Sequence, residues 1–242
     1  MLFQMCYGPE IPSLYEMINN NPGITKSELI ESFQYSTETD ISSLIENTIT
    51  FLQEAFFIEK KGSGYLAKSG DWDHLNLLKN LTFISKTKSN TSLNYVFSTI
   101  HFEIFVKPNI MYVDNLHYRV NKHFNETLVG KEKINAWKRM MEFFGLGYRM
   151  FTGFYALPHP NLLKQLIRRS SPFNGSLYQY CLEKIDPIIP IVHQGKIFDG
   201  FLMGFYFLHE EKIIRLEKKQ DLPYPSFGLQ QQWNWITIPK EV

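Results

Sequence analysis

TITFLQEAFFIEKKGSGYLA occupies residues 48–67, and AWKRMMEFFGLGYRMFTGFYA occupies residues 136–156. Each stretch reads as the end of a helix closed by aromatics, then a turn, then a short hairpin with a glycine at its tip. In the first, Phe57–Lys60 pairs with Tyr65–Ala67 across Gly62-Ser63-Gly64. In the second, Tyr148–Phe151 pairs with Phe154–Leu157 across Thr152-Gly153. Ile58 corresponds to Leu146 and Gly64 to Gly153, an offset of 88–89 residues. A pattern that returns at a fixed offset signals a repeated structural unit.

Upstream of the first copy, IPSLYEMINN puts Leu14, Met17 and Ile18 on one helical face. Asn19–Gly23 then breaks the helix. Thr25-Lys26-Ser27-Glu28 is a capping box, in which Thr25 caps and Glu28 reaches back to it. Leu29, Ile30 and Phe33 form the apolar side of a second helix, and Tyr35-Ser36-Thr37 forms a turn. A third helix from about Glu38 to Ala55 buries Ile41, Leu44, Ile45, Thr48 and Leu52 at helical spacing. Three helices followed by a hairpin resemble the winged-helix form of the helix-turn-helix over about 60 residues. The resemblance implies a third helix that enters the major groove, where lysines and arginines neutralise phosphates. The outward face of this third helix presents Ser43, Glu46, Asn47, Thr50 and Glu54, with two carboxylates and no cation. Only the wing residues Lys60 and Lys61 are basic. This copy is expected to contact protein, a second copy included, rather than DNA.

Formal net charge is +1, yet the charge is unevenly spread. Residues 1–70 hold four Lys and nine acids, net −5, which leaves 21 cations and 15 acids, net +6, for the rest. Such asymmetry is a prior on partners. Residues 79–122 hold six cations and two acids. Asp71–Lys86 reads as a helix with Leu75, Leu78 and Phe83 inward. Leu93–Val106 reads equally as strand or buried helix, ended by Pro108. Asn115–Phe124 opens the second copy as a helix with Leu116, Val120 and Phe124 inward.

The second copy is basic. Lys131–Phe144 reads as a helix that buries Ile134, Trp137, Met141 and Phe144. Its outward stripe is expected to carry Lys131, Asn135, Lys138 and Arg139, side chains suited to phosphates and base edges. Arg149 lies on the wing. A further helix, Asn161–Arg169, ends in Lys164, Arg168 and Arg169. Residues 131–170 hold eight cations and two acids, a footprint of the kind nucleic-acid binders carry. After Pro172–Ser176, Leu177–Ile185 reads as a helix. Phe201–Leu208, Lys212–Glu217 and Trp233–Ile238 read as strands of a small sheet.

The chemistry of the chain argues against catalysis. Cys6 and Cys181 are far apart and fit neither a zinc site nor a disulfide framework. The seven His make no H-x-H or H-x-x-x-H. No phosphate-loop or nucleophile-elbow motif occurs. Glu103, Lys107 and Asp114 are the one loose nuclease-like set, and a metal-dependent nuclease needs a further converging carboxylate. No metal or cofactor is expected. No stretch reaches the about 20 apolar residues of a membrane span, and no signal peptide is read at the start, so a cytoplasmic protein without membrane association is expected.

The expected architecture is therefore mainly α with small β wings (α+β). It comprises an acidic winged helix at 1–70, a connecting segment at 71–114, a basic winged-helix-like unit at 115–170, and a C-terminal helix and small sheet at 171–242. The chain is also similar, as a whole, to accessory winged-helix proteins of bacterial DNA-modification and phage-defence gene clusters. The expected function is non-catalytic binding of double-stranded DNA through the second copy, in transcription or in a DNA-processing or defence assembly. The alternative is a winged-helix adaptor that binds only protein.

Overall fold

The computed structural model describes residues 1–36, 40–68, 70–220, 224–228 and 230–240. About half of these residues are helical and the sheets are small and antiparallel, an α+β architecture. In chain order the first elements are α1 (Glu10–Asn20), α2 (Lys26–Phe33), α3 (Ser42–Glu54), β1 (Ile58–Lys61), β2 (Gly64–Ala67) and α4 (His74–Thr87). They continue with α5 (Leu93–His101), which runs into a π-helical turn at Phe102–Val106, then β3 (Tyr112–Val113), α6 (Leu116–His123), α7 (Lys131–Phe143), β4 (Tyr148–Met150) and β5 (Gly153–Tyr155). The last are α8 (Pro160–Ser170), β6 (Phe173–Ser176), α9 (Leu177–Tyr180) with a π-helical turn at Cys181–Ile185, β7 (Val192–His193), β8 (Lys196–Ile197), α10 (Asp199–Glu210), β9 (Arg215–Glu217) and β10 (Trp235–Ile238).

The chain packs into two compact units, each made of two stretches: Met1–Ser98 with Phe124–Phe143, and Thr99–His123 with Phe144–Val242. The boundary differs from the expected 115–170 unit. Helix α7 belongs to the first compact unit, whereas the β4–β5 hairpin belongs to the second.

In the first unit the capping box forms as its residues demand. The Thr25 side chain accepts from the Glu28 amide, and the Glu28 carboxylate accepts from the Thr25 amide at 2.7 Å. Ile45, Thr48, Ile49, Phe51 and Leu52 form the buried side of α3. The hairpin registers Lys61 with Gly64 and Ile58 with Ala67. Gly23–Thr25 runs beside β2: the Gly23 amide donates to the Tyr65 carbonyl, the Tyr65 amide to the Ile24 carbonyl, and Thr25 bridges Gly64. The N-terminal residues also enter this core. Leu2, Phe3 and Cys6 are buried, and the Met1 ammonium pairs with Glu54 at 2.8 Å. The Leu2 amide donates to Asn94 Oδ1, and Phe3 meets Phe97 edge-on at 5.1 Å. Trp137 of α7 is fully buried and donates from Nε1 to the Phe97 carbonyl at 2.9 Å.

Among the described residues the second unit holds two three-stranded antiparallel sheets, ordered β3-β5-β4 and β6-β10-β9, and the β7–β8 ladder. The first sheet is built in the chain order strand, helix, helix, strand, strand; the second follows the same order with the β7–β8 ladder inserted between its two helices, and in both the last strand is central. The first sheet interleaves with α6 and α7 in sequence, the second with α9 and α10. The first hairpin repeats this order with a single bridge at Thr25 where a strand would stand.

Several sequence expectations change. Leu93–Val106 is helix. Phe201–Leu208, expected as a strand, lies in α10, where Phe201, Leu202, Gly204, Phe205 and Leu208 are buried at helical rather than alternating spacing. The expected strand Lys212–Glu217 shortens to β9. Phe83, expected inward, is exposed. The expected turn residue Thr37 and helix start Glu38 lie outside the described residues.

Candidate nucleic-acid interface

Helix α7 carries four of the eight expected DNA contacts. Lys131 and Asn135, four residues apart, are exposed. Lys138 is not: it retains only 4% of its accessible surface. Ile134, Ala136, Trp137, Met140 and Met141 are buried around it, so α7 is covered over a broad arc and not along one stripe. Arg139 is half-buried and works inside the first unit. Its Nε donates to the Cys6 carbonyl at 3.3 Å, and its guanidinium lies 4.8 Å from the centroid of the Tyr7 ring. The expected outward stripe is corrected accordingly. For Arg139 the reason is the N-terminal segment, which runs beside α7 and takes that guanidinium as an anchor.

The other four expected contacts belong to the second unit. Arg149 on β4 is exposed. Arg168 and Arg169 are exposed in the last turn of α8, where cations offset the negative end of the helix dipole. Lys164 is half-buried and pairs with Glu211 at 2.9 Å. The eight residues are thus divided equally between the two compact units. Lys60 and Lys61 stand exposed on β1 as a basic hairpin strand.

Sequence reading passed over the tip of the β4–β5 hairpin. Met150 is exposed and Phe151 is fully exposed. Phe151 has φ +45°, a left-handed conformation that an L side chain adopts at a cost. The tip is tied down behind it: the Thr152 hydroxyl donates to Asp114, and the Leu116 amide donates to the Thr152 carbonyl at 3.2 Å. The signal was present as Arg149-Met150-Phe151 at a turn, where three large side chains have no core to enter.

Charge divides with the packing. The first unit has 11 Lys and Arg against 14 Asp and Glu, net −3, and the second has 14 against 10, net +4.

No family model, no curated protein and no solved structure matches this chain. The site therefore rests on its own geometry.

The loose nuclease-like set has other employment. Glu103 Oε2 takes Lys107 Nζ at 3.0 Å and His123 Nε2 at 3.1 Å. Asp114 accepts from Thr152 and from Asn115 Nδ2, and the Thr152 hydroxyl together with the Asn115 backbone amide holds its carboxyl below the usual carboxylate range. Among the described residues no three His, Cys, Asp or Glu side chains converge as ligands of one ion. The buried groups are poor catalysts too. Burial pushes the Cys6 thiol up to about 12 and the Cys181 thiol up as well, so both stay protonated. His101 is buried between the rings of Phe105 and Phe198, and desolvation lowers it to about 4, so it is neutral at pH 7.

Proposed function

We propose that this protein is a non-catalytic, winged-helix DNA-binding protein whose second compact unit meets the duplex. The observation that carries the reading is the β4–β5 hairpin, which displays Arg149, Met150 and Phe151 from a unit of net positive charge. A wing of this composition suits a groove: the guanidinium serves phosphates, and an exposed apolar side chain serves as a wedge between base steps. Arg168 and Arg169 add exposed charge from the same unit. The recurrence of helix, helix and hairpin supports winged-helix units in tandem. The repeat of the strand order in β6-β10-β9 supports a third such unit at 160–238, where sequence reading placed only an added sheet. The acidic first unit, with Lys60 and Lys61 as its basic strand, takes a protein partner or a second copy. Such a protein works in the cytoplasm, in transcription or in a DNA-processing or phage-defence assembly.

The test is binding to labelled duplex DNA over a salt series, with wild type, Arg149→Glu, Arg168→Glu/Arg169→Glu and Phe151→Ala. The expected result is affinity that falls as salt rises, falls about tenfold or more on charge reversal, and falls for Phe151→Ala with little change in salt slope. A wild type that does not bind at low salt overturns the reading. The adaptor would then stand, a reading favoured by one observation: Lys138 and Arg139, the cations expected to face DNA, are drawn into the protein.

A further inference from the structure

The second unit contains a cleft of about 420 Å³ that the DNA reading does not use. Its floor is apolar, formed by Ile104, Ile110 and Val113. Tyr112, about half exposed, offers an aromatic wall. Arg119, Lys122 and His123, all exposed on α6, line the same cleft. Two carboxylates, Glu103 and Asp114, complete it.

The charges in the cleft are not equivalent. Glu103 is committed to Lys107 and His123. Asp114 is committed to Thr152 and Asn115. Arg119 and Lys122 have no carboxylate partner among the described residues, although both line a cleft that contains two carboxylates. Unpaired cations over an apolar floor suit an anion with a flat apolar part. The π-helical turn at Phe102–Val106 supplies Glu103 and Ile104 to the cleft, and such turns concentrate at functional sites. The volume lies in the range of small-molecule sites, about 300–1,000 Å³.

We infer that this cleft binds a nucleotide: a phosphomonoester held by Arg119 and Lys122, with a planar base against Tyr112 and the apolar floor. A guanidinium grips phosphate oxygens through paired N–H donors, and an ammonium serves as a point charge beside it. The Asp114 carboxylate, ionised at neutral pH, accepts from a sugar hydroxyl or an exocyclic amine. The phosphomonoester comes either from a free mononucleotide or from the 5′ end of a nucleic-acid strand. The inference does not depend on duplex binding.

The experiment is calorimetric titration of the full chain with adenosine, cytidine, guanosine and uridine 5′-monophosphates, with the matching nucleosides, and with one single-stranded oligonucleotide carrying either a 5′-phosphate or a 5′-hydroxyl. The expected result is saturable binding of a phosphorylated probe, weaker by about tenfold or more without its phosphate. Arg119→Gln/Lys122→Gln lowers that affinity by a similar factor, whereas Lys184→Gln, at an exposed cation of the same unit outside the cleft, leaves it unchanged. Because all three side chains are exposed, circular dichroism and melting separate lost binding from lost fold; Arg119→Gln alone, expected to weaken binding less, serves if the double variant melts early. Binding of free monophosphates assigns the site to a small effector. Binding of the 5′-phosphorylated strand alone assigns it to a strand terminus. Absence of saturable binding by every phosphorylated probe, or binding untouched by the cleft variants, overturns the inference.

Discussion

Two glycines matched in sequence prove matched in structure. A Cβ built on Gly64 falls 1.9 Å from the Gly23 carbonyl oxygen, and one built on Gly153 falls 2.5 Å from the Val113 carbonyl oxygen. Each glycine lets the returning strand of a hairpin lie against a preceding backbone segment. Sequence alone marked both as tip glycines, which places the requirement one step away from its cause. Gly64→Ala and Gly153→Ala are each expected to destabilise by about 1–3 kcal/mol in urea unfolding, since backbone must shift. Gly130→Ala, where nothing lies within 4 Å of the new atom, is expected within about 0.5 kcal/mol of wild type. The Thr25–Glu28 capping box was fully legible, because its chemistry is local. Thr25→Ala is expected to cost about 1 kcal/mol. The pH sign follows from Glu28, whose carboxyl is lowered from 4.5 by bonds from the Thr25 amide and hydroxyl. A depressed folded value means the unfolded chain binds the proton more readily. The contribution is therefore full above pH 4.5 and is lost as pH falls through the depressed value. Acid melting of wild type and Glu28→Gln should converge at the low end of that window and diverge above it; parallel curves would sink the assignment.

At the scale of elements, helices with one apolar stripe were readable and helices covered on several sides were not. Helix α10 was mistaken for a strand because a run such as GFLMGFYFL has aromatic and apolar side chains at nearly every position, and periodicity cannot separate a buried helix from a buried strand there. Helix α7 was misjudged in a different way. Its polar residues were assigned to an outward stripe, but residues 1–7 supply a second covering surface from more than a hundred positions away. Arg139 fits beneath that cover because its carbon stem packs while its head finds the Cys6 carbonyl and the Tyr7 ring. Lys138→Glu/Arg139→Glu, the charge reversal that the sequence alone would suggest, is therefore expected to lose fold. Lys138→Glu alone should cost about 3 kcal/mol or more by placing a carboxylate where an ammonium is buried. Lys138→Met, similar in length and uncharged, should cost distinctly less. The check is chemical unfolding of each variant, before any binding assay; a Lys138→Glu protein as stable as wild type would show that this position tolerates exposure.

For the molecule as a whole, the two hairpins were legible, and the compact units divide the chain elsewhere than composition does. Boundaries at 70 and 114 follow composition and charge, which change gradually along sequence. Packing instead returns residues 124–143 to the first unit after an excursion through the second. Trp137 shows why the return matters: it is fully buried and it bonds the Phe97 carbonyl. A fragment of residues 1–114 is expected to lack a cooperative thermal transition, because removing α7 takes Trp137 from the Phe97 carbonyl and Arg139 from the Cys6 carbonyl and the Tyr7 ring. Removing a fully buried tryptophan to alanine alone costs about 3–5 kcal/mol, against a total stability of about 5–15 kcal/mol for a typical domain. Loss of the whole helix exceeds that margin. Adding a separate peptide of residues 124–143 to the fragment should restore helical signal and a melting transition, as complementation between two stretches of one compact unit. A fragment 1–114 that melts cooperatively without the peptide would place the boundary where composition puts it and return α7 to the hairpin that follows it in sequence.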